Sequence, residues 1–178
     1  MAEYLLKFVP VWWAPNAITL AGFLINILGC LSLIFQGEIG EKVLPWTLLF
    51  FSLCVFTYQT LDNIDGKQAR KTGNSTPLGT RLVYLGMLFD HGCDAFGLIF
   101  IILAVGKVVC FDNKETILYV GFVGAIFGFY FSVWCQYHSK GIMILGEINA
   151  VDDGIPAVWM LSLFTFFVGQ NVWTKPFA

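Results

Sequence analysis

Five apolar stretches separated by short polar connections make up most of the chain. The first runs from Ala17 to Phe35 and is long enough for a bilayer core. Pro45 to about Gln59 opens the second, which continues into Leu61. The third begins near Leu82 or Leu88 and ends at Val105; the fourth covers Thr116 to Gln136. Ile155 to Gly169 forms a fifth, short for a span. Runs of this length and apolarity predict an all-α protein, a polytopic transmembrane helical bundle of about five membrane segments. Pro15 and Asn16 mark the start of the first helix, and Trp12 and Trp13 before it suit a membrane interface. Gly22, Asn26 and Gly29 recur at helical spacing, as do Gly121, Gly124 and Gly128, and both sets predict close helix packing. Gln36 to Leu44, Gly106 to Glu115 and Tyr137 to Gly154 are the polar connections, and the pair Asp152-Asp153 in the last is expected to be solvated.

Four carboxylates break this pattern. Asp62 and Asp65 stand at the end of the second apolar run, and Asp90 and Asp94 within the third. Ionisable groups at membrane depth are rare unless paired, solvated or coordinating a metal. On a helix, Asp62 and Asp65 are spaced i, i+3 and the other two i, i+4, so each pair shares a face. Two such pairs on neighbouring helices can surround one or two divalent cations, since hard oxygen ligands are what Mg²⁺ and Mn²⁺ accept. Gly66 allows close backbone approach, and Arg70 can pair with phosphate oxygens. A neutral imidazole beside the acids makes His91 the preferred general base, with Asp94 its rival for that role.

Composition supports the membrane reading: of 178 residues 57% are hydrophobic and only 12% charged, outside soluble usage. A net charge of −2 without a Lys/Arg-rich run gives no reason to expect nucleic-acid binding. The cysteines at 30, 54, 93, 110 and 135 lack metal-like spacing and read as buried free thiols. Lys67, Arg70, Lys71 and Arg81 cluster between the second and third runs, against Lys42 in one flanking connection and Lys107 and Lys114 in the other. The positive-inside rule therefore puts the acidic motif on the cytosolic side.

The string Asp62-x2-Asp65-Gly66-x2-Ala69-Arg70-x8-Gly79, continuing as Gly86-x3-Asp90-x3-Asp94, resembles the signature of the CDP-alcohol phosphotransferase family. Ala14 to Leu20, Asp65 to Arg70, Ser75 to Gly79 and Leu88 to Asp94 are similar to its eukaryotic choline and ethanolamine members. The resemblance implies transfer of phosphocholine or phosphoethanolamine from CDP-choline or CDP-ethanolamine to the hydroxyl of diacylglycerol, releasing CMP. It implies Mg²⁺ or Mn²⁺ on Asp62, Asp65, Asp90 and Asp94. The CDP-alcohol would lie on Asn16, Asp62, Gly66, Ala69, Arg70, Gly79 and Gly86. An endoplasmic reticulum or Golgi membrane, contact with membrane lipids and a homodimer belong to the same expectation. Residues 1–178 read as a single membrane domain, C-terminally incomplete relative to the family. The alternative is an inactive fragment or a non-catalytic membrane subunit of that family. A transporter or channel would account for the acids but not for Gly66, Ala69 and Arg70.

One departure stands out. The family runs from the first glycine to the third Asp with three residues between; here Gly79 and Asp90 are separated by ten. The choline and ethanolamine enzymes usually carry a Glu after this glycine, where this chain has Thr80 or Met87. Seven extra residues within a continuous helix turn the following face by only about 20° but shift it by about 10 Å along the axis. That would leave Asp90 and Asp94 at the wrong height. Looping out Thr80 to Leu85 would restore it, and Gly79 and Gly86 are natural breaks.

Overall fold

The structure is a computed structural model and describes residues 9–10, 12–38, 40–72, 80–111, 113, 115, 119–138 and 154–174. Among these residues it is all helical, with no β-strand. α1 is Pro15–Ile34, with Ala14 extended before it and Pro15 in the first turn, where a missing N–H breaks no hydrogen bond. α2 is Pro45–Lys71 and α3 is Thr80–Val108. A π-helical segment, Val120–Ile126, leads directly into α4, Phe127–His138. α5 is Gly154–Val168, and α6 is the single turn Asn171–Thr174.

α1 has the polarity of a helix made for lipid. It buries Thr19, Gly22, Asn26, Gly29 and Cys30 and turns Leu20, Leu24 and Leu28 outward. In water this would be the wrong way round; in a bilayer, small residues let helices approach and leucines meet acyl chains. α1 and α3, the latter from Leu85 to Val108, are long and apolar enough to cross a hydrocarbon core, and the stretches Val123–Cys135 and Gly154–Val168 are shorter apolar helices. By length and composition this architecture fits a membrane protein.

α1 packs along both α2 and α3, whereas α2 and α3 barely touch each other. A cleft therefore stays open between α2 and α3. Glycines set the α1–α2 distance: a Cβ on Gly29 would lie 2.6 Å from the Cys54 Cβ, and one on Gly22 would lie 3.3 Å from the Leu61 Cβ. α5 covers the other side of α2 through polar ties. Ser52 donates to the Trp159 carbonyl (2.8 Å), Ser162 to the Leu48 carbonyl (2.9 Å), and the Trp159 indole to Gln59 (3.1 Å). Such interhelical bonds average about 0.6 kcal/mol each in a membrane, so they fix register more than they supply stability. The core between these helices contains Leu33, Phe51, Val55, Tyr58 and Ile101.

The far end of the bundle is sewn together by three long polar side chains. Lys107, which the charge pattern assigned to a connection, is buried in the last turn of α3 and donates to the carbonyls of Gln36 (2.7 Å) and Glu38 (2.5 Å). Gln36 holds the start of α2 through Thr47 and the Leu44 N–H. Gln170 accepts from the Val43 N–H and donates to the Lys107 carbonyl. α3 then closes with Cys110 in the left-handed region (φ 48°), the Phe111 N–H on the Gly106 carbonyl and the Cys110 N–H on that of Lys107. This pairing satisfies the terminal carbonyls of the helix.

Several expectations are revised. The second apolar run continues as helix into the acidic motif, as its pattern predicts, and the helix extends beyond that motif to Lys71. Thr80 to Leu85 does not loop out; these residues form the first turns of α3. Gly121 does pack, against Ile102, but a Cβ on Gly124 or Gly128 would meet nothing within 4 Å, so neither is a close-contact glycine among the described residues. All five cysteines are free thiols, with Cys30, Cys54 and Cys110 buried and Cys93 and Cys135 half-buried. Gly79 and the pair Asp152-Asp153 lie outside the described residues.

Candidate active site

The acids meet across the α2–α3 cleft. Asp62 and Asp65 leave α2 one turn apart and Asp90 faces them from α3, with one carboxylate oxygen of each lying within 4.8 Å of the others. Neither arrangement anticipated for the seven extra residues is realised. They are helical, yet Asp90 is level with the α2 pair, because they lengthen α3 at its start and leave the α1–α3 contact that sets its height intact. Asp65 is buried, and its Oδ2 accepts a 2.5 Å hydrogen bond from the hydroxyl of Thr19 on α1. Asp90 Oδ1 is buried and finds no partner among the described residues.

Asp94 is held differently. One turn beyond Asp90, its Oδ1 accepts a 2.5 Å hydrogen bond from the hydroxyl of Tyr58, a buried residue of α2. Asp62, Asp94 and Tyr58 line a cavity of about 80 Å³ completed by Leu98, Ile101, Ala125, Phe129 and Ile155. The cavity is thus acidic where it meets the cleft and apolar elsewhere. The π-helical segment and α4 supply Ala125 and Phe129, and such irregular helical turns recur beside functional sites.

The other expected site residues fall around this centre. Asn16 is exposed in the first turn of α1, and a Cβ on Gly86 would lie 3.5 Å from its Oδ1, so these two stand together at the start of α1 and α3. Gly66 is exposed and a Cβ there would meet nothing within 4 Å; the glycine therefore answers no packing need and leaves the backbone open to an approaching molecule. Ala69 is half-buried one turn further along, and Arg70 follows it on α2. His91 is half-buried next to Asp90, its ring edge-on to Phe129 with centroids 6.3 Å apart. It stands at the margin of the cavity rather than within the acidic cluster.

Three residues escaped the sequence reading. Thr19 and Tyr58 each donate to one of the acids, and Gln68, fully buried inside the motif, donates to the carbonyls of Pro10 and Trp13 and ties the segment before α1 to the end of α2. A signal existed for Tyr58: it lies one turn before Asp62 and is polar on an otherwise apolar face. Nothing local marks Thr19, whose partner is 46 residues away.

The residues fit a divalent cation. Three buried or half-buried carboxylates in mutual reach repel one another, and an oxygen of Asp90 without a hydrogen-bond donor loses its hydration for no return. A hard cation resolves both, and oxygen donors are what Mg²⁺ and Mn²⁺ take.

Comparison with known proteins places the chain in a family. The profile of the CDP-alcohol phosphatidyltransferase family matches residues 12–169. The chain is 40% identical over 174 residues to "Cholinephosphotransferase 1" of Gallus gallus, covering 96% of this chain and 48% of that protein. It is 37% identical to the Mus musculus protein of the same name, over 96% of this chain and 41% of that one. It is 39% identical to an "Uncharacterized CDP-alcohol phosphatidyltransferase class-I family protein 3" of Dictyostelium discoideum, over 99% of this chain and 43% of the relative. The chain thus spans less than half the length of these relatives. A match running from the residues before α1 to the end of α5, over the whole acidic cluster, makes this chain a member of the CDP-alcohol phosphatidyltransferase family.

Proposed function

We propose that this chain transfers phosphocholine or phosphoethanolamine from the corresponding CDP-alcohol to the hydroxyl of diacylglycerol, releasing CMP. The observation that carries the reading is the meeting of Asp62, Asp65 and Asp90 beside an apolar cavity bordered by Asp62 and Asp94. Polar, phosphate-bearing and lipid substrates both find a matching surface there.

In this reading Asp62, Asp65, Asp90 and Asp94 hold Mg²⁺ or Mn²⁺, which when bound neutralises the pyrophosphate and the charge developing on the attacked phosphoryl group. The open backbone at Gly66 and the guanidinium of Arg70 receive the diphosphate, with Ala69, Gly79, Gly86 and Asn16 bounding the nucleotide end. The diacylglycerol hydroxyl enters from the apolar side. Its oxygen attacks the phosphorus bearing the alcohol, its proton passes to the imidazole of His91, and the bond from that phosphorus to the CMP oxygen breaks.

The chain is read as a bundle of about five membrane segments in one domain, in an endoplasmic reticulum or Golgi membrane, with the acidic cleft toward the cytosol, where a water-soluble CDP-alcohol arrives, and as a homodimer. The inactive-fragment alternative loses ground because the acids converge despite the extra residues. The test is CMP release by the purified chain in diacylglycerol-containing micelles with Mg²⁺, given CDP-choline or CDP-ethanolamine. Release that requires both the lipid and the metal supports the reading; none from either nucleotide by the folded chain refutes it.

A further inference from the structure

Asp94 stands apart from the three acids that meet across the cleft, and the only hydrogen bond to its carboxylate among the described residues is the one from Tyr58. A carboxylate turns easily about its last side-chain bond, because that torsion is broad and two-fold. Left alone, Asp94 would offer its oxygens to the cavity indifferently. The Tyr58 hydroxyl occupies Oδ1 at 2.5 Å, and the tyrosine ring is locked in the core beside Val55 and Ile101. The donor therefore sits on a fixed mount, carried by the same helix as Asp62 and Asp65, four residues before the first of them. We propose that Tyr58 is a positioning residue for Asp94, pinning Oδ1 so that Oδ2 is presented to the cavity shared with Asp62. The proposal rests on the metal-dependent reading above, and it extends that reading from the acids to the hydroxyl that orders one of them.

A merely structural tyrosine would be indifferent to what Asp94 carries, and this separates the two roles. Tyr58→Phe keeps the buried ring and removes only the hydroxyl. Mn²⁺ binding to the purified full chain, followed by electron paramagnetic resonance without substrate, is compared in the wild type, Tyr58→Phe, Asp94→Ala and the double variant. Loss of an outer-shell partner of a metal ligand costs roughly 10–100-fold in affinity. Tyr58→Phe is expected to weaken Mn²⁺ by at least about tenfold when Asp94 is present and to have no effect when Asp94 is alanine. An equal loss in both backgrounds, or no loss in either, overturns the proposal.

Asp94→Glu approaches the same point without disturbing Tyr58. It keeps the charge but moves the oxygens outward by one methylene, so wild-type Mn²⁺ affinity in that variant also overturns the proposal, even if Tyr58→Phe fails to fold. Because Mn²⁺ binding is read without substrate, a wild type that binds the ion but releases no CMP refutes the proposed reaction while leaving the role of Tyr58 decided by the cycle.

Discussion

The α1–α2 contact at Gly29 sets how closely α1, and with it Thr19, approaches the acids. In Gly29→Ala the new Cβ would lie 2.6 Å from the Cys54 Cβ, with the Phe51 Cα 3.6 Å away. Carbon atoms settle at about 3.5–4.0 Å, so the two helices must separate by about 1 Å. The opposing atom is a Cβ fixed to its backbone, so no rotamer change relieves the clash. Overpacking of this kind costs about 1–3 kcal/mol. Cys54→Gly removes the opposing atom at a cost of about 0.3 kcal/mol in helix propensity, plus the burial lost with the thiol. The double variant restores the fit, so the two costs should fall short of additivity by at least about 1 kcal/mol. The assay is unfolding of the detergent-solubilised protein with increasing SDS, followed by circular dichroism. A second readout follows from the geometry: a separation of about 1 Å would stretch the 2.5 Å Thr19–Asp65 hydrogen bond to the limit of such bonds, so Mn²⁺ affinity should fall in Gly29→Ala and recover in the double variant. Costs that add within about 0.5 kcal/mol would refute the claim that Gly29 and Cys54 set the helix spacing.

Other expected outcomes follow from the same cleft. Thr19→Val replaces a buried hydroxyl with a methyl of the same shape and strips Asp65 Oδ2 of its donor. Mn²⁺ affinity should drop by roughly 10–100-fold, with Thr19→Ser restoring most of it, and a Thr19→Val protein that binds like the wild type would remove Thr19 from the site. His91→Ala should lower CMP release by roughly 10²–10⁴-fold while leaving Mn²⁺ binding near the wild-type value. Loss of both together would instead make His91 part of the ion site, and unchanged turnover would pass the proton to Asp94. Deleting residues 80–86 leaves three residues between Gly79 and Asp90 and removes the first two turns of α3. Since the acids already meet with these turns present, the intact chain should release CMP at least as fast as the shortened one; activity found only after deletion would show the extra residues to be disruptive.

The sequence by itself determined the helical class of the fold and picked out the candidate acids. Length and apolarity were enough for the helices, because burying a backbone in hydrocarbon leaves helical hydrogen bonding as the local solution. Charge inside those runs was enough to single out Asp62, Asp65, Asp90 and Asp94, because an acid in such surroundings requires a partner; the structure brings the first three within reach of one another and holds Asp94 apart, on Tyr58. The glycines at 22 and 29 announced a close contact for the same local reason.

The tertiary structure decided what depends on height and on partners distant along the chain. The spacing of Gly79 and Asp90 left both a looped and a displaced arrangement open, and α1, wedged against α2 and α3, sets the level at which Asp90 meets Asp65. Thr19 and Tyr58 find their acids across 46 and 36 residues of chain, and although Tyr58 stands out locally, no local pattern names the partner of either. Lys107 looked like a connection charge and proved to be a buried clasp, because its surroundings come from the α1–α2 connection rather than from its own neighbours in sequence. Periodicity and charge are properties of a segment, whereas orientation of a carboxylate is a property of the elements that close around it.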